Sequence, residues 1–346
     1  MRRLWAVLLG IALSIGPLCS QQTSLTGPVE GYTFDLPSQS FRAVIGLPGS
    51  ASFGPALTSG FVTGSVAPHK NYAIGFQPGR RRGVATVGRA SAGESAINSG
   101  MLVTGLDSSP VSTRISGLSR QPDVIVWSGD GSVAVLYSRS GAWLQVLSGL
   151  PAAPQAAALV DISSLGGSLS AVATDQQGQN VALGIQGVNG GVFLSGDGRN
   201  FASALSMANP AALAFSADGA SLYILDAGAL QLNVFAVNDH SSQIFPLSGL
   251  RYPSAIAAGV DARGRPIVYV TGASDQIFQA YDPSSRQLMV SLPLSFQPTG
   301  IAAFGSNSFV IHSPSQSGDP LWLYASQPQP SVYFVPAAQF NAGEVN

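Results

Sequence analysis

An all-β ring of six or seven four-stranded blades, a β-propeller closed by its N-terminal strands, is the fold the sequence predicts, on three observations. First, the chain repeats itself at a step near 44 residues: Pro122, Ile125, Trp127, Ser128, Asp130 and Gly131 lie 88 residues, two periods, before Pro210, Leu213, Phe215, Ser216, Asp218 and Gly219. Ala236, Ser241, Gln243 and Ile244 return 44 residues later as Ala280, Ser285, Gln287 and Leu288, and Pro253, Ile256, Ala257 and Ala258 return after 45 as Pro298, Ile301, Ala302 and Ala303. A period of this size in a strand-rich chain is the mark of propeller blades. Second, one polar turn returns six times, near His69–Asn71, at Asp130–Gly131, Gln176–Gly178, Asp218–Gly219, Ala262–Gly264 and Gly305–Asn307. Third, Ser-Gly-Leu closes units at Ser116–Leu118, Ser148–Leu150 and Ser248–Leu250. Proline-bearing crossings follow at Leu118–Pro122, Leu250–Pro253 and Leu294–Pro298, where proline withholds no donor that a ladder needs.

Taken in order, residues 1–20 read as an export signal, with Arg2 and Arg3 before an apolar run from Leu4 to Ile15 that Gly16 and Pro17 break. That run is too short to cross a bilayer. Cleavage after Ser20 places the protein outside the cytoplasm, secreted or periplasmic, and Leu18 before Cys19 departs from the small residue that lipid attachment needs. Residues 21–59 hold two or three strand-like runs, Phe41–Leu47 among them, and are expected to close the ring by completing the sheet begun by Leu321–Ala325 and Val332–Val335. Residues 60–337 carry the repeats, and 338–346 form a tail. The clearest unit has apolar runs at Ala211–Phe215 and Ser221–Leu225 around an Asp-Gly turn, an alternating strand at Leu230–Val237 and a fourth at Gln243–Leu247.

Composition narrows the partners. Charged residues are 10% of the chain, against about a quarter in ordinary soluble domains. Nucleic acid and anionic membrane both require clustered Lys and Arg, and neither is expected here. Loss of the signal removes Arg2, Arg3 and the single cysteine, so no disulfide is available and stability must come from packing.

The segment Phe215–Asp226, Phe-Ser-Ala-Asp-Gly-Ala-Ser-Leu-Tyr-Ile-Leu-Asp, resembles the blade repeat of the YVTN and lactonase-like propellers, and Val268-Tyr269-Val270-Thr271 is similar to the tetrapeptide that names the first group. The likeness covers residues 60–335 with departures: Ala217 stands where the repeat has proline, Gln176–Gln177 where it has aspartate, and the last copy has Ser306–Asn307. What the resemblance implies is an extracytoplasmic scaffold binding proteins, sugars or small ligands on a ring face, with enzymes in some branches only.

Candidate sites are few. Asp130, Asp197 and Asp218 occupy turns of different units, where an aspartate bonds its own backbone; a calcium loop needs several oxygens converging on one ion. Ser195–Phe201 resembles the structural Asp-box of sialidase-like propellers. His69, His240 and His312 fall on a turn, a hairpin loop and a strand of three units with no catalytic motif around them, and Glu30 and Glu94 are read as loop residues. Arg80, Arg81 and Arg82, between two glycines, are the only charge run and the proposed contacts for an acidic partner or polysaccharide. Gly83–Gly100 is the longest irregular stretch near the ring, where binding specificity concentrates. Trp127, Trp143, Trp322, Tyr223, Tyr269 and Tyr281 are expected in the blade core. No catalytic residue, cofactor or metal is assigned. The expected function is that of an exported, monomeric, non-catalytic scaffold binding an envelope protein or glycan. Its competitor is a lactonase-like hydrolase acting on a small ester or lactone in the central funnel.

Overall fold

A computed structural model describes residues 27–79, 99–118, 120–305, 308–327 and 329–338. The chain forms seven antiparallel sheets arranged as a seven-bladed propeller, and the sole helix among the described residues is a 3₁₀ turn at Ser163–Leu165. Sheet 1 contains β1 (Val29–Asp35), β2 (Ser40–Ile45) and β3 (Ser52–Ser59). Sheet 2 contains β4 (Thr63–Val66), β5 (Ala73–Gln77), β6 (Ser99–Thr104) and β7 (Val111–Arg114). Sheet 3 contains β8 (Val124–Trp127), β9 (Ala134–Ser138) and β10 (Trp143–Ser148), with its outer position split between β11 (Gln155–Ala156) and β12 (Val160–Asp161). Sheet 4 contains β13 (Ser168–Thr174), β14 (Val181–Gln186), β15 (Gly191–Ser195) and β16 (Ala202–Ser206). Sheet 5 contains β17 (Pro210–Phe215), β18 (Ser221–Asp226), β19 (Gln231–Ala236) and β20 (Ser242–Pro246). Sheet 6 contains β21 (Pro253–Val260), β22 (Pro266–Gly272), β23 (Ile277–Asp282) and β24 (Gln287–Pro293). Sheet 7 contains β25 (Ala302–Ala303), β26 (Ser308–His312), β27 (Leu321–Ala325) and β28 (Ser331–Val335).

The first strands lie innermost, since β8 touches β13, β13 touches β17 and β17 touches β21. Second strands are the most buried: every residue of β9 is buried, as are Leu222 to Leu225 of β18 and Ile267 to Gly272 of β22. Fourth strands are largely exposed, as in β7 and β20. The core therefore sits between sheets. One cluster joins Tyr223, Leu225 and Leu232 of sheet 5 to Val268, Val270 and Tyr281 of sheet 6. Trp143, Tyr223, Tyr269 and Tyr281 all lie in this inter-sheet packing, as expected for large aromatics in a propeller. Trp127 and Trp322 are half-buried, Trp127 donating to Ser65 Oγ at 2.9 Å and Trp322 stacked on Phe296 with ring centroids 4.3 Å apart.

Five of the six repeated turns join the first and second strands of sheets 2 to 6, and the sixth, Gly305–Asn307, lies partly outside the described residues. Glycine is required there: Gly131, Gly178, Gly219 and Gly264 have φ of 78°, 71°, 72° and 76°. In the Ser-Gly-Leu closures Gly117, Gly149 and Gly249 have φ of 81°, 73° and 77°, and Leu150 and Leu250 are buried beneath them.

Ring closure differs from the expectation. Residues 29–59 form a sheet of their own, and among the described residues none of its strands pairs with sheet 7. The seam closes by packing instead: Val44, Ala51 and Phe53 meet Phe304, Leu321, Leu323, Tyr333 and Val335.

Sheet 1 also matches the other sheets out of step. In sheets 3, 5 and 6 the turn between second and third strands ends in a left-handed residue, Ala142, Leu230 and Gln276, at φ of 47°, 54° and 53°. Its carbonyl accepts the backbone N–H of a buried residue that follows the fourth strand, Ile162, Leu247 and Leu294, at 2.9, 2.9 and 2.7 Å. The β1–β2 turn carries the same device: Gln39 has φ 50° and its carbonyl accepts Phe61 N–H at 3.2 Å, Phe61 being fully buried just after β3. The strands β1, β2 and β3 thus correspond to the second, third and fourth strands of the other sheets. In keeping with that, β1 touches β4 of the next sheet as β14 touches β17 and β18 touches β21.

Candidate functional site

Because β1 holds a second-strand position, its inner edge faces the axis with no strand beside it among the described residues. Next to that edge lies a cavity of about 460 Å³, within the size range of small-ligand sites. Val29, Glu30, Gly31 and Tyr32 of β1 line one side, Val66, Ala67, His69 to Asn71 and Asp107 of sheet 2 another, and Ala303 to Gly305 of sheet 7 the third. Its position is the seam where the first, second and last sheets meet.

Glu30 reaches the seam through a β-bulge. Register along β1–β2 jumps between Val29 and Gly31, leaving Glu30 as the extra residue, and a bulge re-aims the side chain it carries. Its Oε1 accepts the Tyr333 hydroxyl across the seam, while Oε2 is buried without a partner. Burial pushes the Glu30 carboxyl above its ordinary value, against the opposing effect of the Tyr333 bond. Burial and the Glu30 contact together push the Tyr333 hydroxyl up.

The opposite rim is built from exposed groups of sheet 2. Asn71 Nδ2 donates to Asp107 Oδ2 at 2.8 Å, which fixes the two turns against each other. His69 sits at φ 55° in the β4–β5 turn, and partial desolvation with the nearby Lys70 ammonium holds its pKa below the ordinary value. Tyr32 is shifted up by burial and then by the Asp107 carboxylate. The cavity therefore carries the Glu30 carboxyl, raised by burial, on one wall, and the Asp107 carboxyl and Lys70 on another.

A second cleft of about 380 Å³ opens between sheets 5 and 6, lined in part by Ser216, Asp218, Ser241, Gln243, Val260 and Pro283. Like the seam cavity, it includes residues of turns between first and second strands, so both lie on the same face of the ring.

The turn aspartates are committed to their own loops. Asp130 Oδ1 accepts Ser128 Oγ at 2.7 Å, Ser132 N–H at 2.9 Å and Ser132 Oγ at 2.8 Å. Asp218 Oδ1 accepts Ser216 Oγ at 2.6 Å and Ala220 N–H at 3.1 Å. Asp197, in the β15–β16 turn rather than a first turn, accepts Ser195 Oγ at 2.7 Å and the N–H groups of Arg199 and Asn200 at 2.8 and 2.9 Å. These bonds hold the Asp197 carboxyl well below the usual carboxylate range and lower Asp218 as well. Asp130 is lowered too, the serine bonds and Lys70 outweighing its burial. Among the described residues no group of three or more His, Cys, Asp or Glu side chains is arranged to hold a metal ion.

His69, His240 and His312 lie in the turn, hairpin and strand positions expected, in sheets 2, 5 and 7. Only His69 borders a cavity described above; His312 Nδ1 lies 2.9 Å from the Gln297 carbonyl oxygen, and His240 packs beside Phe235. Arg80, Arg81 and Arg82 and most of the Gly83–Gly100 stretch lie outside the described residues, as do residues 1–20 with Cys19. Glu30 is a correction: it sits on a strand and not in a loop, because the bulge that places it is invisible in a sequence. The other feature sequence reasoning missed is a buried ion pair in sheet 1, Arg42 Nε to Asp35 Oδ2 at 3.2 Å, with side chains 5% and 4% exposed.

No family model matches the chain, and no curated protein matches it in sequence. Solved structures similar in shape include a chain of "Crystal structure of Nidogen/Laminin Complex", 13% identical over 78% of this chain and 95% of that one, at TM-score 0.49. Another is "Kuenenia stuttgartiensis Hydrazine Synthase", 12% identical over 66% of this chain and 70% of that one, at TM-score 0.46. Neither likeness bears on function.

Proposed function

We propose that this protein is an exported, non-catalytic propeller of YVTN-like type that binds an envelope protein or a glycan through the face carrying its first turns. The single observation that supports the reading is how that face is made. Two clefts open on it, and its turn aspartates Asp130 and Asp218 are bonded within their own loops rather than left free for chemistry. A rim whose side chains are already held by hydrogen bonds to neighbouring side chains and backbone loses little conformational entropy on binding, which is what a recognition surface needs. Secretion or passage to the periplasm rests on the signal-like residues 1–20, and Arg80–Arg82 stand as further contacts for an acidic partner.

The lactonase-like hydrolase remains a second reading because Glu30, His69, Lys70 and Asp107 line one cavity near the axis. One experiment separates the two. Purified mature protein is assayed against a panel of small lactones and esters, and in parallel as immobilised bait for envelope fractions and for glycan arrays, with Lys70→Ala/Asp107→Ala and Gln243→Ala/Ser284→Ala variants as controls. Saturable binding that one of these face variants abolishes, without turnover, supports the scaffold. Turnover that His69→Ala or Glu30→Gln abolishes overturns it.

A further inference from the structure

Tyr223 carries a hydroxyl that the fold does not use. Four residues after the left-handed glycine of the first turn, sheets 3, 4 and 6 place Val135, Ala182 and Val268, each fully buried, whereas sheet 5 places Tyr223. Its ring belongs to the cluster of Val268, Val270 and Tyr281 between sheets 5 and 6, and the residue is 3% exposed. A buried tyrosine ordinarily gives its hydroxyl a partner, as Tyr281 does by donating to Gln279 Oε1 at 2.6 Å. The Tyr223 hydroxyl has none among the described residues, and Tyr223 lines the cleft of about 380 Å³ between these two sheets. We propose that this cleft is a binding site for a neutral saccharide, with the Tyr223 hydroxyl as the hydrogen-bonding group of its inner wall.

Strand geometry builds that wall. Ser221 and Tyr223 of β18, Val234 and Ala236 of β19 and Gln243 of β20 lie on one face of sheet 5, because alternate residues point the same way and the register pairs Tyr223 with Val234 and Val234 with Gln243. The facing wall comes from the β21–β22 and β23–β24 turns of sheet 6, with Val260, Pro266, Pro283 and Ser284. Hydroxyl and amide groups therefore alternate with CH surface, which suits a sugar ring with its hydroxyl edge and its CH faces. Gln243 Oε1 accepts Arg286 Nη2 at 2.7 Å, a bond that orients the amide and leaves Nε2 to donate. Burial, with the carboxylates of Asp218 and Asp282, pushes the Tyr223 hydroxyl up to about 12, so it stays protonated and able to donate at any physiological pH. The volume lies at the lower end of the range for small-ligand sites, enough for a single sugar or a disaccharide.

Charge narrows the class. The lining holds Asp218 and no lysine or arginine, so an acidic sugar finds no cation aimed at it. Of the arginines nearby, Arg286 is bonded to Gln243 and Arg265 is paired with Asp261 at 2.7 Å. Asp218 accepts from Ser216 and Ala220 in its own turn, so a basic sugar finds no uncommitted carboxylate there. This inference rests on the glycan arm of the binding reading above and narrows it to one cleft.

The test is isothermal titration calorimetry of the purified mature protein against the methyl glycosides of glucose, galactose, mannose and N-acetylglucosamine and against maltose and lactose. Glucuronic acid and glucosamine serve as charged counterparts, and Tyr223→Phe and Gln243→Ala are titrated beside wild type. The expected result is saturable binding of at least one neutral sugar, weakened about three- to tenfold by Tyr223→Phe, the loss of one hydrogen bond. The Tm of sugar-free Tyr223→Phe should stay within about 2 °C of wild type, because the hydroxyl holds nothing in the fold. Sugar binding that both variants leave unchanged would keep the glycan reading but place it elsewhere, and would overturn this site. A protein that binds none of the neutral sugars overturns it too; capture of an envelope protein by that same chain would preserve the binding reading, and failure of both would end both. Tighter binding of glucuronic acid or glucosamine than of any neutral sugar would refute the neutral class. A Tyr223→Phe protein with a clearly lower Tm would show that the hydroxyl serves the fold, and would overturn the proposal as well.

Discussion

Gly31→Ala is the sharpest probe of how the ring closes. A β-carbon at this position would lie 2.8 Å from Phe304 Cζ and 3.0 and 3.1 Å from its two Cε atoms, each closer than a normal carbon contact. Phe304 is 6% exposed and packed among the seam residues of sheets 1 and 7, so the ring has little room to withdraw. Overpacking of this kind costs about 1–3 kcal/mol. At about 2 °C per kcal/mol, the low end of the usual range because the chain is long, Tm should fall by roughly 2–6 °C. Differential scanning calorimetry of four proteins measures it: wild type, Gly31→Ala, Phe304→Leu and the double variant. Removing ring atoms should relieve the clash, so the double variant should lose less than the sum of the singles by at least about 0.5 kcal/mol. Gly300→Ala serves as control, since nothing lies within 4 Å of its β-carbon, and it should change stability by less than about 0.5 kcal/mol. A Gly31→Ala protein as stable as wild type, or strictly additive singles, would refute a seam closed by this packing.

Other perturbations read other parts of the structure. Arg42→Leu leaves Asp35 buried without its guanidinium and should cost about 3–5 kcal/mol in urea denaturation, whereas the double replacement Arg42→Leu/Asp35→Leu should recover most of that loss. Leu323→Ala, in a fully buried position at the seam, should cost about 2–5 kcal/mol by the same assay. The two kinds of carboxylate respond to pH with opposite sign. Asp130, Asp197 and Asp218 have folded pKa values below the ordinary one, so their stabilisation is present above that value and is lost as pH falls through the folded values. Glu30 is raised, so its contribution is present in acid and is lost as pH rises through its folded value. Glu30→Gln should therefore gain on wild type as pH rises above the ordinary glutamate range, seen as a Tm difference that grows and then levels.

Much of the ring was legible because a repeat states its pattern several times over. The predicted unit at Pro210 is met strand for strand by β17 to β20, and Asp-Gly between apolar runs gave the turn at Asp218 and Gly219. The role of Asp130, Asp197 and Asp218 was legible for the same local reason, since a short acid after a serine in a turn bonds what is next to it. Sheet 1 was not, because its three strands lack the repeat's first turn, and the feature that aligns them, a left-handed Gln39 bonded to Phe61, has no residue type of its own. Glu30 was lost because a bulge is set by pairing with β2, and the Arg42–Asp35 pair because burial of charge depends on what the fold lays over it. The seam cavity joins residues 29–32 to 303–305, a proximity that only closure of the ring creates.

The account rests most on the turn aspartates serving their own loops rather than an ion, and elemental analysis of the purified mature protein by inductively coupled plasma mass spectrometry tests that directly. It predicts no stoichiometric metal, and a Tm that added calcium leaves unchanged. One divalent ion per chain, with a Tm that rises as calcium is titrated, would contradict it and bring the hydrolase reading forward.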